Sequence, residues 1–458
     1  MRYNRPERSG EIGAEARRIL RLAWPIMLTS LNWTLMHLID VAMVGHAGTT
    51  ELGALAASRT LTFITIVMGL ASLSGVLVFT ARADGARHLA ETGDILRSGV
   101  LMGLVVGLLC LALLIGAPEP MLRAIGVAPE LVGPGAAVVR AMALAYPFQF
   151  ALAAGSYFLE GISRPRRVMT VNLAMLLVNA VLAWAWVGGH LGFPARGAVG
   201  AALATATVSA IGAAAMLVCC WFLPHAEERR VRDVSRAAIA RAVAGVPRLA
   251  WFGLVPAIGA ALELAGFSWL IALSTQLGVI TAAAFQAMLS IHNLVFALAM
   301  GFASAAGVRV GNAVGEGDVA AAGPRTMIAA LLAVVVLGTL ATVFALSARW
   351  LMLPFSEDPS VLALSARMVV LMAPFMLFDG VQYVLSYALR SLGEQVWAGL
   401  NGIIGFFLIT GGLGWWLVRS GWGGDGLVYA GGAGMVAVAL LHLGRLVIVL
   451  RRRFRSAG

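Results

Sequence analysis

HAEERRVRDVSRAAIARAVAG (225–245) is the longest polar connection inside a chain that is otherwise mostly apolar. It lies between the sixth and seventh of twelve apolar runs, at roughly 20–45, 52–80, 98–117, 132–158, 168–189, 197–223, 248–275, 280–308, 326–347, 360–389, 395–418 and 426–450. About 20 apolar residues cross a bilayer as one helix, so every run is long enough to span. Several are longer than that, which predicts tilted or bent helices. Pro25, Pro147, Pro256 and Pro374 lie inside runs and are natural kink positions. The expected fold is an all-α integral membrane protein, with twelve transmembrane helices in two pseudo-symmetric six-helix bundles. The N-terminal lobe is expected at 1–223 and the C-terminal lobe at 248–458, joined by a cytoplasmic linker at 224–247.

Working outward from the linker, the two halves echo one another. LAWPIMLTS (22–30) and LAWFGLVPA (249–257) open them. TARADGARHLAETGD (80–94) and AAGVRVGNAVGEGD (305–318) follow the second run of each. YPFQF (146–150) and APFMLF (373–378) lie in the fourth run, which SYFLEGISRP (156–165) and SYALRSLGEQ (386–395) close. Equal halves in the same orientation suggest parallel bundles related by an axis along the membrane normal, a recurrent transporter plan. The linker itself is charged and helical in pattern. It is read as a connector whose arginines meet anionic lipid headgroups, in preference to a calmodulin-type amphipathic segment.

The composition agrees with a membrane protein: 60% of residues are hydrophobic, 12% are charged and the mean hydropathy is +0.89. A soluble domain is about a quarter charged. All 33 basic residues are arginine, and the formal charge is +11. The arginines lie in short connections between apolar runs, so topology explains them better than nucleic-acid binding. One alternating set of connections, with both termini, holds 26 arginines if Arg445 is included; the opposite set holds Arg123, Arg196, Arg349 and Arg419. The positive-inside rule therefore places both termini in the cytoplasm. Residues 1–21 are Arg-rich and polar, and the run that follows is too long for a signal-peptide core, so no cleaved leader is expected. Cys110, Cys219 and Cys220 all lie in apolar runs without CxxC spacing, which argues against disulfide or metal roles. A phosphate-binding loop of Walker type needs a lysine, and the chain has none, so transport would draw on an ion gradient or a partner ATPase.

Three carboxylates lie deep in apolar runs: Asp40 in the first, Glu263 in the seventh and Asp379 in the tenth. An acid at the bilayer centre costs about 2.5–3.5 kcal/mol on insertion scales, so such residues usually face a cavity or a partner. The bland alternative is a protonated structural acid, or one paired with Arg59, Arg140 or Arg367. Asp40 and Glu263 occupy the first run of each half, whereas Asp379 has only Gln149 to Tyr157 opposite it in the repeat. The symmetry is broken at the chemistry, which predicts different jobs for the two lobes. Polar neighbours are Asn32, His37, Asn172, Asn179, Gln286, His292, Asn293, Gln382, Tyr383 and Asn401. Each alone is more often interhelical glue than a ligand. His37 and Asp40, three apart, share a helical face. His37, His292 and His442 raise the question of a proton relay or a metal, but the absence of HxxxH or Cys/His spacing argues against metal catalysis. Small-residue faces such as GAVGAALATATVSAIGAAA (197–215) predict close helix packing.

Over 20–450 the chain resembles multidrug and toxic compound extrusion transporters. The resemblance rests on DVAMVGHAGTTELGALA (40–56), ARADGARHLAETGD (81–94), LEGISRPR (159–166), NLAMLLVNAVLAWAWVGG (172–189), GAVGAALAT (197–205), ASAAGVRVGNAVGEGD (303–318) and YALRSLGE (387–394), in this order and spacing. It implies two six-helix bundles forming a V-shaped cleft, and export of small cationic amphipathic compounds in exchange for Na⁺ or H⁺. Asp40 matches the family's first-span aspartate. Glu263 and Asp379 match the cation-site acids of the NorM branch, and would hold Na⁺ if the exchange is sodium-coupled. Gln286 and Asp358 fall where some NorM-like members contact substrate, and Asn179 and Asp40 are grouped with them as substrate-binding. Many relatives carry an aspartate four residues after the fifth-span asparagine; here Asn179 is followed by Ala183. A two-acid proton switch in the N-lobe is therefore disfavoured, and coupling through Glu263 and Asp379 preferred.

The expectation is a secondary antiporter in a bacterial inner membrane. It is expected to be a monomer, with no cofactor beyond the coupling ion and no nucleic-acid partner. The two acids of such a site would titrate as a pair. A flippase for a lipid-linked precursor is the alternative; a diphosphate cargo would want several cavity arginines, and only Arg59, Arg140 and Arg367 are candidates. A membrane-embedded enzyme would need a metal cluster or a nucleophile–base pair, and no such motif is present in the sequence.

Overall fold

The computed structural model describes residues 5–456, with side chains over 11–452. Among the described residues every regular element is helical. The order is α1 (Arg5–Ala47), α2 (Thr49–Ser72), α3 (Ser74–Gly85), α4 (Leu89–Gly116), α5 (Pro118–Ile125), α6 (Pro129–Ala143), α7 (Tyr146–Gly161), α8 (Pro165–Gly188) and α9 (Gly197–Trp221). After the linker come α10 (Arg236–Gln276), α11 (Val279–Gly315), a short turn of 3₁₀ helix, α12 (Ala322–Leu346), α13 (Ala348–Met352) and α14 (Pro359–Ser391). The last run is α15 (Gln395–Gly402), a π-helical stretch (Ile403–Thr410), α16 (Gly411–Arg419) and α17 (Gly423–Ser456). Eleven of the described helical segments are long and apolar enough to cross a membrane, and α6 with α7 makes a twelfth, bent by 45°. The chain is thus a multi-pass membrane protein, and each apolar run of the sequence corresponds to one span.

The bend has a local cause. Pro147 stands at the start of α7, where its missing N–H interrupts the ladder just after α6 ends. The other run-internal prolines, Pro25, Pro256 and Pro374, lie inside unbroken helices. Left-handed Gly189 (φ 75°) ends α8 and turns the chain towards α9.

The helices fall into two compact units, Leu31–Ala257 and Met1–Ser30 with Ile258–Gly458. The divisions lie inside α1 and α10, so each of these long helices begins in one unit and ends in the other. In the Leu31–Ala257 unit α7 packs on α4 and α9, and α8 on α9, around Tyr146, Phe150, Phe158 and Leu73. The small-residue face of α9 does what its composition suggests: a Cβ on Gly200 would lie 2.5 Å from the Trp186 carbonyl, and one on Gly212 2.2 Å from the Met175 sulfur. In the other unit α11 is enclosed for most of its length, and α14 packs on α11, α12 and α17.

The π-helical stretch has no forewarning in the sequence. Thr410 Oγ1 donates to the Gly405 carbonyl, five residues back, at 3.2 Å, and Gly434 of α17 lies against this segment.

The arginine-rich connections are stapled by ion pairs. Arg309 binds both carboxylate oxygens of Glu15 at 2.6 and 2.8 Å, with both side chains 11% exposed. In the Leu31–Ala257 unit Arg229 meets Asp84 at 2.5 Å, and Arg241 reaches Asp94 and Asp233 at 3.1 and 3.2 Å. The lipid-facing reading of the linker is corrected for these two arginines, since Asp84 of α3 and Asp94 of α4 hold them. Its helical reading is corrected for residues 225–235, which form turns with His225 and Arg230 at positive φ; helix begins at Arg236.

Candidate functional site

One polar site lies within the unit that holds Ile258–Gly458. Tyr383 donates its hydroxyl to Glu263 Oε1, tying α14 to α10. Asp379 lies one turn before Tyr383 on the same face of α14, because residues four apart are helical neighbours. Gln382 Nε2 donates to Asp379 Oδ1 at 3.2 Å. The second oxygen, Oδ2, has no hydrogen-bond partner, and faces His292 Nε2 of α11 at 3.6 Å. Asp379 and His292 are both buried, Glu263 is half-buried. Phe267 stacks beside the His292 ring, with centroids 6.1 Å apart, and Phe296 meets Tyr383 edge-on at 5.1 Å. His442 of α17 places its two ring nitrogens 3.2 and 3.1 Å from the Gln382 and Ala398 carbonyls. Among the described residues neither Glu263 nor Asp379 forms an ion pair with an arginine, and Arg390 acts on Glu263 only at longer range.

A second site lies within Leu31–Ala257. Asp40, 7% exposed, accepts from Asn179 Nδ2 at 3.0 Å and from Thr205 Oγ1 at 3.4 Å, so α1, α8 and α9 converge on it. Arg59 of α2 lies within electrostatic reach of Asp40 and donates to the His37 carbonyl at 3.2 Å, with its other contact at His37 Nδ1. Ala183, one turn beyond Asn179, is fully buried and offers no donor or acceptor. Asn32 and Asn172 meet through a 2.9 Å bond to backbone, the interhelical glue their spacing suggested.

The other residues singled out from the sequence lie elsewhere. Asp358 caps α14, accepting from the Ser360 N–H at 2.7 Å, and is exposed. Gln286 is exposed on α11, and its carbonyl accepts from Ser290. Asn293 is exposed, and Asn401 is buried in α15. Arg140 pairs with Glu119 at 2.7 Å and Arg367 pairs with Asp425, which leaves Arg59 as the one arginine beside a deep acid. Hydrogen bonds from Arg140 hold Glu119, outside the spans, below the usual carboxylate range. Thr205 was visible only as the last letter of GAVGAALAT; nothing in the sequence paired it with Asp40 across 165 residues.

The family model described as MatE matches residues 25–185 and 257–416. A relative from Caulobacter vibrioides described as probable multidrug resistance protein NorM is 31% identical over 461 residues, covering 97% of this chain and 93% of its own length. Multidrug resistance protein MdtK from Yersinia pseudotuberculosis is 26% identical over 82% of each chain. A crystal structure of the eukaryotic MATE transporter AtDTX14 superposes with a TM-score of 0.84 at 21% identity, covering 96% of this chain and 98% of that one. A MOP superfamily transporter from Pyrococcus furiosus gives 0.83 at 20% identity, over 95% and 97%. These likenesses establish the two-lobe fold of that family for this chain.

Proposed function

The chain belongs to the MatE family, the multidrug and toxic compound extrusion transporters, and from that membership and its two polar sites we propose that it is a secondary antiporter. It exports small cationic amphipathic compounds in exchange for Na⁺ or H⁺, working as a monomer in a bacterial inner membrane with both termini in the cytoplasm.

One observation carries this reading. Glu263 and Asp379 are more than 100 residues apart, yet Tyr383 binds the first and shares a helical face with the second. No arginine is paired with either among the described residues. Two acids kept at membrane depth without a fixed counter-charge are suited to taking up and releasing a mobile cation. Binding of the coupling ion there from outside releases the organic cation, and loss of the ion inside restores affinity for the next one. Asp40 attracts the cationic compound, and Asn179 and Thr205 hold its carboxylate in place. Alternating access is rocking of one six-helix lobe against the other.

A flippase for a diphosphate-linked lipid is disfavoured because Arg140 and Arg367 are already committed to Glu119 and Asp425. The test is ethidium binding to purified protein. Displacement by Na⁺ or by acid supports antiport, and displacement by neither contradicts it.

A further inference from the structure

We propose that His292 is the residue that makes the Glu263–Asp379 site select protons over Na⁺. This rests on the antiport reading and goes one step beyond it, to the identity of the ion.

A hard cation such as Na⁺ needs a shell of oxygen ligands, whereas imidazole nitrogen suits softer transition metals. Two of the four carboxylate oxygens at this site already accept a hydrogen bond. Asp379 Oδ1 is held by Gln382, and Glu263 Oε1 by the Tyr383 hydroxyl. The buried oxygen of Asp379 that no hydrogen bond occupies, Oδ2, faces the His292 Nε2 ring nitrogen 3.6 Å away. Phe267 and Phe296 line the neighbouring space with carbon.

The same arrangement suits a proton. The Asp379 carboxyl and the His292 imidazole are the two buried polar groups with unsatisfied atoms here, Oδ2 on one and Nδ1 on the other. A proton shared between Oδ2 and Nε2 needs only a side-chain adjustment, since a charge-assisted bond of this type is about 2.7–2.9 Å long. The bond formed is O–H or N–H on one partner, and the other partner accepts; no further reactant is required. The ring lies beside Phe267 with Nε2 on the Asp379 side.

The titratable group that faces His292 is Asp379 of α14; Tyr383 of α14, Glu263 of α10 and His442 of α17 belong to the same polar cluster, and Arg390 of α14 acts on Glu263. The single charged residue of α12, Arg325, stands at its start and pairs with Glu316. Gln382 and Tyr383 each satisfy one carboxylate oxygen; the imidazole is the addition that changes the ion chemistry. The sequence holds the signal in SIHNLVF (290–296), but only the fold shows which acid that histidine meets.

The experiment uses full-length protein, and compares wild type with His292→Asn and His292→Ser, which replace the ring by an oxygen-bearing side chain. Two readouts are taken: ethidium efflux from proteoliposomes under a pH gradient or a Na⁺ gradient, and thermal unfolding with NaCl against choline chloride. Wild type is expected to respond to the pH gradient and to show no Na⁺-specific stabilisation. The variants are expected to gain a Na⁺-specific upward shift in Tm and a several-fold Na⁺ stimulation of efflux. A wild type that is driven and stabilised by Na⁺ overturns the inference while leaving the antiporter standing. So does a folded variant whose ion preference is unchanged. If neither gradient drives the wild type, it is the antiport reading itself that fails.

Discussion

Tyr383 donates its hydroxyl to Glu263 from the helical face that also carries Asp379, so one aromatic side chain links two acids of α10 and α14. Neither carboxylate is close to the other in sequence, and neither carries an arginine partner among the described residues. We propose that junction as the place of ion coupling.

Replacing either acid by its amide removes the charge that the ion must neutralise while keeping the size. Glu263→Gln and Asp379→Asn are each expected to lower ion-driven ethidium efflux at least about tenfold, a difference of ~1.4 kcal/mol. Initial rates in vesicles, normalised to protein content, check this. Two folded variants at wild-type rates would remove both acids from the mechanism.

Tyr383→Phe deletes one hydrogen bond to a charged group, worth about 1.5–3 kcal/mol. Glu263 then loses its link to α14 but keeps its charge. The expected result is a weaker response to the coupling ion with ethidium binding close to wild type. Ion titrations of substrate displacement measure it, and an unchanged midpoint would make the bond incidental.

Asp40 belongs to a different site, with Asn179 at 3.0 Å and Arg59 nearby. Asp40→Asn is expected to lose ethidium affinity while retaining ion-dependent stabilisation, and Asn179→Ala to give a smaller loss. Paired binding and thermal-shift assays separate the two effects. The reverse pattern, with ion response lost and substrate binding kept, would move coupling to the Leu31–Ala257 unit.

Glu15 and Arg309 form a doubly bonded pair that is nearly enclosed. Breaking a buried pair from one side costs roughly 3–5 kcal/mol, because the remaining charge is stranded. Glu15→Ala and Arg309→Ala should each lower the thermal midpoint in detergent, and the double variant should lose less than their sum. Strict additivity in that cycle would show that the two side chains do not depend on each other.

In the linker, hydrogen bonds from Ser235 hold Asp233 below the usual carboxylate range, with Arg241 adding to the effect. A depressed carboxylate contributes stability above its unfolded value of about 3.9, and that contribution disappears as pH falls through the lower folded value. Protease cleavage within 225–245 should therefore rise at pH below about 4 in wild type. Asp233→Asn should show raised cleavage already at neutral pH and less additional change on acidification. Cleavage that ignores both pH and the substitution would mean that this carboxylate does not anchor the linker.

Much of this architecture is legible in the sequence because lipid imposes simple rules. A span must be long and apolar, and arginine sorts the connections, so twelve runs and their halves can be counted directly. Of the four prolines marked alike in the sequence, Pro147 falls at the broken span, while Pro25, Pro256 and Pro374 lie inside unbroken helices. The deep acids stood out because charge is rare in an apolar run. What escaped was set by contacts between distant segments. Thr205 meets Asp40, His292 meets Asp379 and Arg309 meets Glu15 across 165, 87 and 294 residues, and no local pattern encodes such a pairing. The π-helical turn at Ile403–Thr410 is equally silent, since it depends on α17 bringing Gly434 against Thr410. Two linker arginines show the same limit: Arg229 and Arg241 look like lipid anchors until Asp84 and Asp94 are found beside them.

The central claim is that a cation gradient drives export through Glu263 and Asp379. The most direct measurement is ethidium efflux from proteoliposomes with the pH gradient and the Na⁺ gradient imposed and collapsed separately, in wild type and in the Glu263→Gln/Asp379→Asn double variant. The account predicts wild-type efflux that stops when one of the two gradients is collapsed, and a folded double variant that does not respond to either. Efflux that persists with both gradients collapsed, or a double variant as active as wild type, would contradict it.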